Sequence, residues 1–187
     1  LIDFAMNGQS EQGNNCFEAC PGGAPCNVLA MLGKLGRKTV FLGKVGEDQF
    51  GKLLKEVKTS RNYDSVYNYV NRLFSDVTKT LLAFVHTFPD GDRDFSFYRK
   101  PGADMMLREE EVDYDVIRQA KIFHFGTLSM TDEPVRSATK KALEVAKEAG
   151  CLISLDPNLR PPLWKSLDEA KKMMEYGFRY CDILKIS

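Results

Sequence analysis

No apolar run in the sequence approaches the roughly 20 residues that span a bilayer. The segment Leu1-Ile2-Asp3-Phe4 also lacks the basic stretch followed by an apolar one that marks a secretory signal. A cytoplasmic chain is therefore expected. Net charge is absent too, with 26 Lys and Arg against 26 Asp and Glu, so no overall field draws nucleic acid or an anionic membrane, and a small molecule is the expected partner. The five cysteines form no C-x-x-C pair and are odd in number. Cys16, Cys20 and Cys26 have no His nearby, so they read as reduced, structural thiols, and no metal site is expected. There is no G-x-G-x-x-G after a strand and no protein-kinase signature. Nicotinamide and flavin enzymes of the dinucleotide-binding type and protein kinases are thereby excluded.

What is present has the pattern of an α/β chain. From Lys38 onward, runs rich in β-branched and aromatic residues alternate with segments of helical period, as in βαβ units with a parallel sheet. Expected helices cover Asn27 to Leu35, closed by Gly36, and a segment capped by Asp48 that carries Phe50, Leu53, Leu54 and Val57. Two more cover Glu133 to Ala149, closed by Gly150, and Ser166 to Tyr180, opened by a Ser166/Glu169 capping box. Expected strands cover Thr39 to Val45, Lys121 to Thr127, Cys151 to Asp156 and Asp182 to Ser187. Thr80 to Phe88 and Arg93 to Arg99, separated by Pro89-Asp90-Gly91-Asp92, read as a hairpin that leaves the main sheet. Arg61 to Lys79 shows only a weak alternation around Val66 to Val70 and is assigned no chemistry.

Three motifs invite a functional reading. Gly46 to Leu53 nearly fits a P-loop, but Leu53 has no hydroxyl for Mg²⁺ and Glu47 and Asp48 would repel phosphate, so a helix-start turn is expected there. Pro21-Gly22-Gly23-Ala24-Pro25-Cys26-Asn27 combines two glycines that let a ligand approach the backbone with an Asn that both donates and accepts. The same residues also suit an ordinary turn with an Asn cap. Asp156-Pro157-Asn158-Leu159-Arg160 follows a strand at its carboxyl end, where α/β sheets bind ligands, and Arg160 could fork onto phosphate. Asp-Pro is equally common turn chemistry. His86 and His124 lie in apolar strand patterns and read as structural.

Taken together, Leu1 to Phe4, the Pro-Gly-Gly-Ala-Pro-Cys-Asn segment, Leu35-Gly36 and Gly43-Lys44-Val45-Gly46-Glu47-Asp48 follow the order and spacing of the first signature of the PfkB carbohydrate kinase family. Phe97-Tyr98-Arg99, Ala103-Asp104-Met105, Phe123-His124-Phe125-Gly126, Asp156 to Arg160 and Leu184 to Ser187 resemble segments of its fructokinases. Leu29 departs from the small residue of the signature and is expected to pack inside its helix. The resemblance implies a ribokinase-like, doubly wound, mostly parallel sheet flanked by helices, with a β lid from residues 4–20 and 80–99. It implies a kinase using ATP and Mg²⁺ on a sugar, fructose before ribose, 2-keto-3-deoxygluconate or a nucleoside, and a possible homodimer through the lid. Asp3, Gly22, Gly23, Asn27 and Arg99 would contact the sugar, and Asn158, Arg160, Lys185 and Ser187 would face the ATP phosphates. The family's Gly-Ala-Gly-Asp motif is not among the 187 residues. The catalytic base and the C-terminal ATP-binding part are thus expected beyond Ser187, and a catalytically inactive sugar-binding module is the competing expectation.

Overall fold

A computed structural model describes residues 1–60, 74–75, 78–88, 90–99 and 101–186. The chain divides into two compact units, Leu1–Ala103 and Asp104–Ser187.

In the first unit a four-stranded mixed sheet has the order β2-β1-β5-β6, built from β1 (Ile2–Gln9), β2 (Asn15–Pro21), β5 (Leu82–Thr87) and β6 (Arg93–Tyr98). The expected hairpin is present as the antiparallel pair β5 and β6. It does not stand apart, because β5 also runs parallel to β1. Alternation along β1 sends Ile2 and Phe4 to one face and Asp3 to the other. On the first face Ile2 packs with Cys26, Val45 and Leu54, and Phe4, Leu29, Phe41, Phe50, Leu53 and Leu82 close around them. Leu29 thus does pack into the core. Burying a side chain such as Ile2 contributes about 1.5–3 kcal/mol, and the ring of Phe4 adds a stacked contact with Phe84 and an edge contact with Phe50.

Two helices complete this unit. The helix α1 (Ala24–Lys34) begins three residues before the expected Asn27, with Gly23 as N-cap. Pro25 is the reason, since a proline fits the first helical turn, where its missing N–H costs nothing. The helix α2 (Gln49–Ser60) starts where Asp48 was expected to cap it, and the Gly51 N–H donates to Asp48 Oδ1 at 2.8 Å. The expected strand Thr39 to Val45 is reduced to β3 (Val45–Gly46), which pairs in parallel with β4 (Phe74–Ser75). The weak alternation at Val66 to Val70 lies outside the described residues.

Asp48 does more than cap. Its Oδ2 accepts the Thr80 N–H at 2.7 Å and its Oδ1 the Thr80 hydroxyl at 2.9 Å, while Thr80 Oγ1 accepts the Gly46 N–H at 3.0 Å. The Gly46 and Gly51 amides, which a P-loop would turn toward phosphate, are thus already used. Burial pushes the Asp48 carboxyl up, but the Thr80 and Gly51 amides, the Thr80 hydroxyl and Lys79 outweigh it and hold the group below the usual value. A depressed folded pKa means that Asp48 stabilises the fold above the unfolded carboxyl value of about 3.9, and that this contribution is lost as pH falls through the folded value. The melting-temperature gap between the wild type and Asp48→Asn should therefore narrow on acidification from pH 6 to pH 3, as followed by circular dichroism. A gap that stays constant would contradict this assignment.

The second unit carries a parallel sheet of order β7-β8-β9, from β7 (Ile122–Gly126), β8 (Leu152–Asp156) and β9 (Ile183–Leu184). The fold class is α/β, with mixed and parallel sheets flanked by helices. The last strand is shorter than the expected Asp182 to Ser187, and Ser187 lies outside the described residues. The short helix α3 (Tyr114–Arg118), which the sequence reading missed, is capped by Asp113. The helices α4 (Val135–Glu148) and α5 (Leu167–Phe178) fall where expected. Ser166 Oγ accepts the Glu169 N–H at 3.1 Å, as half of the expected capping box, but the Glu169 carboxylate pairs with Arg136 on α4 instead of turning back. Gly177 lets α5 lie close on the sheet, since a Cβ there would meet Leu155 at 3.1 Å and Phe125 at 3.3 Å. The opposite face of β7 and β8 carries His124, Ser154 and Asp156.

Candidate functional site

The first unit brings three of the expected sugar-side residues together at the start of α1. The residue opposite Asp3 on β2 is Cys20, and the chain then turns through Gly22 and Gly23 into the helix. Gly22 lies directly against Asp3, so that a Cβ built on it would overlap the Asp3 carboxylate. Gly23 has φ 107°, a backbone conformation that side chains disfavour. Its carbonyl accepts the Asn27 N–H at 2.9 Å, which places Asn27 in the first turn of the helix and rules out the alternative of an Asn cap. Asn27 is exposed. Burial pushes the Asp3 carboxyl above the usual aspartate value.

Arg99 follows β6 by one residue and is almost fully buried, at 5% exposure. The register Asp3↔Ala83↔Phe97 puts Asp3 and Phe97 in one row on one face of the sheet. Continuing the alternation by two residues puts Arg99 on the same face. Two strand spacings across and two residues along separate the Asp3 and Arg99 backbones by roughly 12 Å. A carboxylate acceptor, a guanidinium donor and glycine backbone that a ligand can approach are what recognition of neighbouring hydroxyls requires.

In the second unit the carboxyl end of β8 supplies a different kind of site. Asp156 is buried, and its Oδ1 accepts the Asn158 N–H at 3.1 Å while its Oδ2 accepts from Lys185 Nζ at 2.9 Å. Asn158 adopts φ 41°, a left-handed conformation that Asn tolerates better than most residues. The Thr127 hydroxyl donates to the Pro157 carbonyl at 2.6 Å and pins the same turn. Lys185 keeps its side chain largely exposed, and Arg160 Nη1 donates to the Leu159 carbonyl at 3.0 Å. The structure therefore joins Asn158 and Lys185 through Asp156. Sequence alone places Asp156 in its motif without a role and gives Thr127 only as the end of a strand. The Asp-Pro step at a strand end was the available signal for Asp156.

Among the described residues, His124 is hydrogen-bonded through one ring nitrogen only. Its Nδ1 lies 3.0 Å from Ser154 Oγ, and its buried Nε2 has no hydrogen-bond partner among the described residues. Burial pushes the imidazole below its usual value, against an opposing pull from Asp156. His86 Nε2 lies 3.1 Å from Ser96 Oγ on the exposed hairpin. The five cysteines are thiols, two of them, Cys26 and Cys151, buried.

The chain belongs to the pfkB family of carbohydrate kinases, whose family model matches residues 2–187. A probable fructokinase-2 of Arabidopsis thaliana is 46% identical over the whole chain, which spans 56% of that relative. Fructokinase from Xylella fastidiosa, crystallised with bound ATP, superposes with a TM-score of 0.86 at 32% identity, over 98% of this chain and 57% of that one. Fructokinase from Vibrio cholerae, crystallised with fructose, ADP and calcium, gives 0.80 at 26% identity, over 99% and 57%. The chain thus spans about half the length of the curated relatives it matches.

Proposed function

We propose that the protein to which this chain belongs is an ATP-dependent fructokinase of the cytoplasm, transferring the γ-phosphoryl group of ATP to a hydroxyl of fructose. The observation that carries this reading is the contact of Gly22 with the Asp3 carboxylate, because it places an acceptor for sugar hydroxyls against backbone free of side chains. The similarity to fructokinases supports fructose ahead of ribose, 2-keto-3-deoxygluconate or a nucleoside.

In this reading Asp3 accepts hydrogen bonds from sugar hydroxyls, Gly22 and Gly23 leave room for the ring, Asn27 adds a donor and an acceptor, and Arg99 donates from the edge of the sheet. Residues 4–20 and 80–99 act as the lid. The face opposite Asp3 exposes Met6, Phe17 and Tyr98, a surface through which two copies would pair. Asn158, Arg160, Lys185 and Ser187 take the phosphate side. Lys185 and the Asn158 turn fit an anion, since one brings an exposed ammonium and the other a left-handed backbone turn. ATP would bring a magnesium ion, which neutralises charge developing on the phosphates. Phosphoryl transfer needs positioning and charge stabilisation above all, and these two groups of residues supply each.

A sugar panel tests the reading, with the protein expressed from its own gene and product identified by phosphorus NMR. Fructose should give the highest kcat/KM. Preference for ribose or a nucleoside would replace the substrate, and binding without turnover would favour the inactive module. A pH series adds a second check. Asp3 must be ionised to accept two hydroxyls, and its raised pKa means it protonates at a higher pH than an ordinary aspartate. The fructose KM should therefore rise on the acid side while the ATP KM holds, and Asp3→Asn should flatten that rise. A fructose KM that does not change with pH in the wild type would count against Asp3.

A further inference from the structure

Three consecutive residues, Lys79, Thr80 and Leu81, tie together the segments that carry Asp3 and Arg99 in the first unit. The Leu81 carbonyl accepts the Ile2 N–H at 3.0 Å, one residue before Asp3. The Lys79 carbonyl accepts the Ala103 N–H at 2.9 Å, and Lys79 bridges Gly102, which anchors the chain shortly after Arg99. Between them Thr80, only 3% exposed, is held through its N–H and its hydroxyl by Asp48 at the start of α2. The joint is tightly built, because a Cβ on Gly46 would come within 2.5 Å of the Thr80 nitrogen and 2.6 Å of Asp48 Oδ2.

We infer that Thr80, pinned by Asp48, is a positioning residue for sugar binding: it fixes the origin of β5, and through it the separation of Asp3 on β1 from Arg99 after β6. The inference rests on the reading of Asp3 and Arg99 as sugar contacts. Its physical basis is that β5 lies between the strands leading to these two residues. Neither Asp3 nor Arg99 has to touch Thr80 for this to hold. If the hydroxyl is lost, Gly46 loses its acceptor and Asp48 loses one of its two bonds to Thr80, so the base of β5 is held by a single hydrogen bond to that carboxylate. The sugar side then loosens, while the residues assigned to phosphate lie in the other unit and keep their own anchors.

Thr80→Val keeps shape and burial but removes the hydroxyl, whereas Thr80→Ser keeps every hydrogen bond of the joint. The steady-state KM for fructose and for ATP would be measured for both variants in the protein expressed from its own gene, beside Arg99→Lys and Asp3→Asn. Thr80→Val should raise the fructose KM about tenfold, the effect of losing two hydrogen bonds, with the ATP KM unchanged and Thr80→Ser close to wild type. In the Arg99→Lys background the Thr80→Val effect should shrink, as expected when one residue acts through another. An unchanged fructose KM in Thr80→Val, with Arg99→Lys and Asp3→Asn both impaired, overturns the inference alone. Equal rises in both KM values also overturn it, since the joint would then be merely structural. If Arg99→Lys and Asp3→Asn leave the fructose KM untouched, the functional reading fails and the inference fails with it. Should Thr80→Val not fold, Asp48→Asn is judged by the same outcomes.

Discussion

Gly22→Ala should raise the fructose KM at least about 100-fold and leave the ATP KM near wild type. The added methyl would occupy space now filled by the Asp3 carboxylate, so either the carboxylate swings away or the start of α1 shifts. A displacement of about 1 Å among positioned groups can cost about 10²-fold in rate. The variant keeps the carboxylate itself, so its comparison with Asp3→Ala separates placement from chemistry. Asp3→Ala removes an acceptor and should cost roughly 1–3 kcal/mol of transition-state binding, appearing in both KM and kcat. Near-normal fructose kinetics in Gly22→Ala, with an intact fold by circular dichroism, would show that the contact between Gly22 and Asp3 does not shape the sugar site.

Asp156→Ala should produce the complementary defect. It leaves Lys185 without this anchor and the Asn158 N–H without its acceptor at the end of β8. Losing two charge-assisted hydrogen bonds corresponds to about a 100-fold fall in kcat/KM for ATP, while the fructose KM at saturating ATP should stay within about threefold of wild type. Asp156→Asn keeps one acceptor for the Asn158 amide but removes the charge, so it should recover part of the loss. An Asp156→Ala variant with unchanged ATP kinetics would mean that this strand end does not serve the phosphates.

Both predictions use contacts between residues far apart in sequence, and these are what the sequence concealed. The helices α4 and α5 were legible because periodic apolar positions and local stop and cap signals, Gly150 and Ser166, agree with one another. Gly22 and Gly23 were legible as a place for a ligand, yet nothing local shows that Asp3 lies against Gly22. That contact depends on the pairing of β1 with β2. Asp48 was visible as a helix cap, but its second role depends on Thr80, which is 32 residues away. The same holds for Asp156 and Lys185, which are 29 residues apart.

Where the expected elements failed, tertiary packing overrode local pattern. Val40, Phe41 and Leu42 have strand-like character, but Phe41 turns into the core of α1 and α2 and Val40 is exposed, so most of Thr39 to Val45 forms no ladder. The ring of Phe41 also lies against Gly43, where a Cβ would come within 2.7 Å of it. The capping box at Ser166 lost its second half to Arg136 because an ion pair between helices offered Glu169 a stronger partner than a backbone amide.

The most direct measurement is a crystal structure of the protein expressed from its own gene with fructose and a non-hydrolysable ATP analogue. The account predicts fructose hydroxyls on the Asp3 carboxylate and the Arg99 guanidinium, its ring over Gly22 and Gly23, and the nucleotide phosphates beside Lys185 and the Asn158 turn. Fructose bound away from Asp3 and Arg99, or phosphates remote from Lys185, would contradict it.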